Sequence, residues 1–304
     1  MYDRILFPTD GSEPAVSTLE YALDVASAHD ATVHVLNVAD TNRDSVARVG
    51  GEVVDALEQQ GEEIVTAAAD RAAERGVSVV STVLQGDPYR TIVDYGEEAD
   101  VDLIVMPTHG RRGLERFLLG SVTERVLNTT KAPVITVTPD ERREPTYPVR
   151  TVLVPTDGSD GATEALREAI GMATATGASL HVLHVVETGS LGLDARSVLK
   201  ESEYAERADG IVAEATGIAE EAGLDDVTGS VVAGRVHREI RSYVDEHEVD
   251  LVAIGKHGRT EFGRYLPGSV TAKLVRTSPV PLLTVGDPTV EDGDDGEGAD
   301  EGEA

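Results

Sequence analysis

Short, unbroken apolar runs recur along the chain and alternate with stretches of helical periodicity. Residues 3–9 (Asp-Arg-Ile-Leu-Phe-Pro-Thr), 31–38, 77–84, the run opening at Val101 and 133–137 read as five strands. The run from Val101 is continuous, the pattern of a parallel strand buried on both faces. After the first strand, Pro14 suits a first helical turn, and Val16, Leu19, Ala22, Leu23 and Ala26 follow at helical spacing. A polar excursion over 40–60, with Arg43, Gly50 and Gly51, leads into an alanine-rich helix near 62–75. Gly86-Asp87-Pro88 then opens a short helix carrying Ile92 and Val93. Strands alternating with helices predict a parallel sheet covered on both faces.

The pattern then restarts. Thr151-Val-Leu-Val-Pro-Thr-Asp157-Gly158-Ser159 repeats Ile5-Leu-Phe-Pro-Thr-Asp10-Gly11-Ser12. Asp10 and Asp157 stand 147 residues apart, as do Val38 and Val185. Gly86 and Gly234, Gly110 and Gly258, and Gly120 and Gly268 stand 148 apart. A duplication explains this, with the one-residue difference expected in the excursion after the second strand. The predicted fold is α/β: two tandem, doubly wound, five-stranded parallel-sheet domains over 1–139 and 150–286. A proline-rich charged linker (140–149) joins them, and an acidic tail (287–304) without an apolar face reads as disordered.

The chemistry gathers after the fourth strand of each half. The first copy ends in a loop with Gly110 and then Gly120-Ser121; the second has Gly255, Gly258 and then Gly268-Ser269. A buried strand, a glycine-bearing loop and a helix start together make an anion site. Glycine lets the backbone approach, and unpaired N–H groups of the first turn point at the ligand. In an open doubly wound sheet, ligands bind at the carboxyl ends of the strands where strand order reverses. If strands one and four flank that crevice, Asp10 meets the Gly110 loop and Asp157 meets the Gly258 loop. A carboxylate there suits sugar hydroxyls, with phosphates on the glycines. The plainer alternatives are a turn with a helix cap for Asp-Gly-Ser and a solvated connection for the loops.

Charge sharpens the picture. The chain carries 26 basic against 56 acidic residues, a net charge of −30. Yet residues 107–116 set Arg111, Arg112 and Arg116 against Glu115 alone, and 255–264 set Lys256, Arg259 and Arg264 against Glu261 alone. Local positive charge inside so acidic a chain suits a phosphate. The acidic surface argues against nucleic acid, whose backbone needs a basic face. It fits a salt-rich cytosol, as in a halophilic archaeon, because molar salt shortens the Debye length to about 3 Å. The melting temperature is therefore expected to rise between dilute buffer and molar KCl; equal melting in both would refute this. Cysteine is absent, which excludes thiol chemistry and disulfides. No apolar run reaches the roughly 18–20 residues that span a bilayer, and the first residues lack a signal-peptide layout, so a soluble cytoplasmic protein is expected.

Pro-Thr-Asp-Gly-Ser after strand one, with Gly-x2-Gly-x9-Gly-Ser after strand four, resembles the universal stress proteins of the nucleotide-binding subgroup. That resemblance implies a Rossmann-like, adenine nucleotide alpha hydrolase-like fold that binds ATP, which Mg²⁺ can accompany, without an assigned reaction. It places Asp10 and Asp157 on the ribose and backbone of Val38 and Val185 on the adenine. It places Gly110, Gly120, Ser121, Gly255, Gly258, Gly268 and Ser269 on the phosphates. It further implies an internal pseudo-dimer through the fifth strands, 133–137 and 280–285, with further homo-oligomerisation open. Pro107 departs from the pattern. It stands where the first glycine is expected and has no N–H to offer, so weaker binding is expected in the first half. Pro267, just before Gly268, departs less.

No phosphate loop of the Gly-x4-Gly-Lys type or dinucleotide Gly-x-Gly-x-x-Gly follows strand one. A slow ATPase or self-phosphorylating enzyme is thus the alternative, and a ligand-free interaction module the third reading. His109 and His257 read as solvent-facing loop residues, or as an acid or base near the γ-phosphate. His34, His181 and His184 read as partly buried core or domain-contact residues.

Overall fold

The computed structural model describes residues 1–40, 51–110, 119–138, 144–187, 197–256 and 268–286. Gly258, His257, Pro267, the arginines at 111, 112, 116, 259 and 264, and the tail from 287 lie outside them.

The first half runs β1 (Arg4–Pro8), α1 (Glu13–His29), β2 (Thr32–Asp40), α2 (Gly51–Glu74), β3 (Val79–Gly86), α3 (Pro88–Glu98), β4 (Leu103–Pro107), α4 (Ser121–Thr129) and β5 (Val134–Val137). The second repeats it as β6 (Thr151–Pro155), α5 (Asp160–Thr176), β7 (Ser179–Glu187), α6 (Ser197–Glu221), β8 (Val227–Gly234), α7 (Val236–Glu246), β9 (Leu251–Gly255), α8 (Ser269–Thr277) and β10 (Leu282–Val285). All ten strands form one sheet, in the order β3-β2-β1-β4-β5-β10-β9-β6-β7-β8. Neighbours within each half are parallel; β5 and β10 meet antiparallel, Leu283 opposite Ile135. The chain leaves β1 outward through β2 and β3, then returns to β4 on the other side. That reversal opens a crevice at the carboxyl ends of β1 and β4, and again at β6 and β9.

The strands are continuously apolar because both faces are covered. Ile5, Phe7, Val33 and Val35 pack with α1 and α2 on one face, in a layer that continues into α5 and α6. Leu6, Leu36, Ile104 and Met106 pack on the other with α3 and α4, in a layer continuing into α7 and α8. The alternation of Ile5, Leu6 and Phe7 between layers is the period-two geometry of a strand.

Two expectations are corrected. Helix α2 begins at Gly51, inside what the sequence suggests is a polar excursion. From its second turn on, Leu57, Gln60, Gly61 and Ile64 line a cavity, whereas the buried core positions of this helix, Val65, Ala68 and Ala72, come later. The remaining polar positions of those turns therefore read as loop. The length difference between halves also lies elsewhere. Buried Val65, Ala68 and Ala72 of α2 match Val212, Ala215 and Ala219 of α6, each still 147 apart. The offset becomes 148 only in the next strand, where Val33 pairs with Val79 and Leu180 with Val227. The extra residue lies in the turn after α6, where length changes without disturbing packing.

The seam between the halves is dense. Tyr2 donates to Glu168 Oε1 at 2.7 Å, and burial pushes the Glu168 carboxyl up. Tyr147, at the end of the linker, meets His29 and stands edge-on to Tyr21. Arg276 of α8 pairs with Glu124 of α4 at 3.2 Å. Lys256 is 5% exposed, and its Nζ donates to the carbonyl oxygen of Thr130, at the C-terminal end of α4. One cation counted for the second loop therefore serves the seam, where the negative end of a helix receives it.

Burial lowers the Lys256 pKa to about 8. An unfolded chain keeps this proton to higher pH than the folded one, so the contribution of this lysine to stability should rise as pH climbs from about 8 toward 10.5, while the buried Tyr2, Tyr21 and Tyr147 hydroxyls, pushed up by burial, oppose it near the top of that range. The rise should be on the order of 2–3 kcal/mol. In Lys256→Met protein, denaturant titrations across that range should lose the slope; an unchanged slope would show that the lysine is not buried as described.

Candidate functional site

The site is built from the turn after β1. Gly11 adopts φ +70°, a conformation that glycine takes without strain, and its N–H donates to Thr9 Oγ1 at 3.1 Å. Ser12 N–H donates to Asp10 Oδ1 at 2.9 Å, and Ser12 Oγ caps α1 by accepting from Ala15 N–H. The second half repeats each bond through Gly158, Ser159, Asp157 and Ala162. The turn-and-cap role is thus real in both halves, and it aims the aspartate as a by-product.

The topology brings Asp10 to the fourth strand's loop. Its carboxylate lies so close to Gly110 that a Cβ there would stand 3.3 Å from Asp10 Cγ and collide with Oδ2. Across the crevice, Gly120 N–H donates to Thr108 O at 2.8 Å and Thr123 Oγ1 to Pro107 O at 3.0 Å. These bonds clasp the two ends of the loop. Gly268 N–H on Lys256 O (2.8 Å) and Thr271 Oγ1 on Gly255 O (2.9 Å) repeat them. Because Gly120 has no side chain, nothing at the N-cap covers the first turn of α4. The first internal bond runs from Glu124 N–H to Gly120 O, so the amides of Ser121, Val122 and Thr123 are those a helix leaves without an internal partner.

Between these walls lies a cavity of about 460 Å³, within the range of small-molecule sites. Thr9, Asp10, Val38, Gly110, Gly120 and Ser121 all line it, so the structure unites every candidate residue of the first half. In the second half it places Asp157, Val185 and Gly255 at the ends of β6, β7 and β9, and Gly268 and Ser269 at the start of α8.

Three placements go beyond the sequence reading or decide between its alternatives. Gly255 carries no Cβ because α5 comes too close: one there would lie 2.5 Å from Gly161 O and 2.6 Å from Gly161 C. Its role is helix–strand contact, one of the uses of glycine in nucleotide folds. His109 lines the cavity rather than facing away from it, with Nδ1 3.2 Å from Thr108 Oγ1, and burial lowers its pKa. His34 and His181 sit between the sheet and α3 or α7, bonded to Tyr95 and Tyr243, and His184 bonds Thr156 O. None of these three is at the domain seam; His29 is. The signal for Gly255 and for Gly61 of α2 was a lone glycine in an apolar strand or a helix, which sequence alone reads only as a weak spot.

Comparison with known proteins agrees with this architecture. The family model described as "Universal stress protein family" matches residues 1–138 and again 148–286. Universal stress protein MJ0531 of Methanocaldococcus jannaschii is 36% identical over 140 residues, 45% of this chain and 82% of the relative. Universal stress protein Rv2005c of Mycobacterium tuberculosis is 31% identical over 241 residues, 74% of this chain and 77% of that one. The crystal structure of a universal stress protein from Archaeoglobus fulgidus superposes with a TM-score of 0.70 at 27% identity, covering 93% of this chain and 98% of that one. With two matched domains, one ten-stranded sheet and a crevice where each half reverses its strand order, the chain belongs to the universal stress protein family.

Proposed function

We propose that the chain is an ATP-binding stress protein that acts through nucleotide-dependent conformation or partner contact, without a committed catalytic step. The ribose sits on Asp10 and the adenine against backbone at Val38. The phosphates lie on the loop from Gly110 to Gly120 and the opening turn of α4, with Mg²⁺ accompanying them. Asp157, Val185, Gly258, Gly268 and Ser269 take the same parts in the second half, while Gly255 lets α5 approach β9.

One observation carries this reading: the Asp10 carboxylate and the first turn of α4, which has no side-chain cap, line one cavity. A sugar hydroxyl needs an acceptor, and a phosphate needs donors and positive charge. A nucleotide presents both groups a few bonds apart. The acidic surface fits a salt-rich cytosol, where screening allows a triphosphate to approach.

The test is to denature protein purified in molar KCl and identify any released nucleotide by mass spectrometry, with calorimetry on the emptied protein. Released adenine nucleotide, or ATP binding by the emptied protein, is expected. Neither release nor binding of any adenine nucleotide would leave a ligand-free interaction module as the answer.

A second reading, slow hydrolysis, has one observation in its favour. His109 stands on the cavity wall and burial favours its neutral form, which can accept a proton. Turnover of radiolabelled ATP that disappears in His109→Gln protein would establish it.

A further inference from the structure

We propose that Asn37 reads the base in the first-half site, its Oδ1 accepting a hydrogen bond from the exocyclic amine of adenine. The assignment rests on the nucleotide reading above and adds to it which ring is chosen and by which side chain.

Asn37 lies on β2 one residue before Val38, is 7% exposed and lines the cavity. Its Nδ2 donates to Thr9 O at 2.7 Å. A carbonyl oxygen can only accept, so chemistry fixes the amide orientation: nitrogen toward β1, oxygen away from it. That oxygen lies against Gly61 of α2, where a Cβ would stand 2.7 Å from Oδ1 and 2.8 Å from Val83 Cγ1. Among the described residues no donor is paired with Oδ1, and it is not among the occluded polar atoms. Leu57, Gly61 and Ile64 fall on one helical face and line the same cavity, and the missing Cβ at Gly61 is what leaves the oxygen uncovered on that side. A flat ring edged by an amine fits beside a bare acceptor in such a slot.

The duplicated half supplies an internal comparison. His184 is the counterpart of Asn37, and its Nδ1 makes the same bond to Thr156 O at 2.7 Å. Ala208 is the counterpart of Gly61 and is 1% exposed. Pinning the carbonyl ahead of the aspartate therefore needs neither an asparagine nor a glycine opposite it. What the first half adds is an amide oxygen that no Cβ at position 61 crowds. Adenine offers an amine there; hypoxanthine and guanine offer a carbonyl, which would face Oδ1 lone pair to lone pair.

The experiment compares ATP with inosine triphosphate, which carries the same sugar and phosphates, in an Asp157→Ala background that reports the first half. Unaltered at position 37, the protein should prefer ATP about tenfold. Asn37→Leu should bring the ratio to within about twofold while binding of inosine triphosphate is retained. Asn37→His keeps the tether that His184 already shows this fold accepts, so it guards against misfolding; with Nδ1–H donating, its Nε2 is still an acceptor, and part of the preference should remain. Equal affinity before any change at Asn37, or a tenfold preference surviving Asn37→Leu, would overturn the assignment while leaving nucleotide binding intact. Binding of neither triphosphate would instead remove the nucleotide reading, and this assignment with it.

Discussion

Gly110→Ala should weaken ATP binding in the first half about thirtyfold while leaving the melting temperature almost unchanged. The new Cβ would take the space of Asp10 Oδ2, driving the carboxylate from the position from which it would hold the ribose. Losing one charge-assisted hydrogen bond accounts for roughly 2 kcal/mol, which is about that factor. The fold should not notice, because Asp10 Oδ1 can keep its bond to Ser12 N–H. Asp10→Ala provides the contrast. It removes the same ribose contact but also the turn bond, so it should lower both affinity and stability, the latter by about 1 kcal/mol. Calorimetry with thermal melts on both variants separates the roles. If Gly110→Ala binds ATP as tightly as the unaltered chain, Asp10 does not hold the sugar.

The largest effect on stability is expected from Gly255→Ala. A methyl there meets backbone, Gly161 O and C within 2.6 Å, and backbone cannot swing aside as a side chain end can. Helix α5 must move off β9, and overpacking of this kind costs about 1–3 kcal/mol. The melting temperature should fall by roughly 5–10 °C. Gly171→Ala, in the middle of the same helix, is the control. Its methyl would meet only the tip of Met1, whose Cε is 2.9 Å away and can rotate. Alanine is also the better helix former by about 1 kcal/mol, so this variant should be neutral or slightly stabilised. A Gly255→Ala protein melting with Gly171→Ala would contradict the close approach of α5.

How much of this was legible in the chain differs by level. The strands were readable because both faces are covered, which writes an unbroken apolar run into the sequence. The duplication was readable because its turn residues, Asp10-Gly11-Ser12 and Asp157-Gly158-Ser159, need fixed chemistry. The pairing of Asp10 with the Gly110 loop followed from the strand order alone. Helix α2 was harder: Leu57, Gly61 and Ile64 line a cavity instead of the core and stand among polar residues that resemble a loop. The place of the extra residue is not legible from the strand ends, because Val38 and Val185 bound it on one side and Gly86 and Gly234 on the other, with a whole helix between. Buried Ala72 and Ala219, inside the helices, are what move it to the following turn. Lys256 is indistinguishable in the sequence from the cations of its own loop, since nothing in a linear chain shows that its long side chain crosses to Thr130 of the other half.

The antiparallel junction of β5 with β10 bears on how such a protein can evolve. Where two identical copies meet, any change on one side of the contact is forced on the other, and a buried lysine like Lys256 would arrive in pairs. Here both sides are encoded separately and tethered by one chain, so dilution cannot part them and each can drift on its own. Lys256 against Thr108, His184 against Asn37, and Ala208 against Gly61 are such departures. Gene fusion thereby turns an obligatory mirror into two independently adjustable compartments.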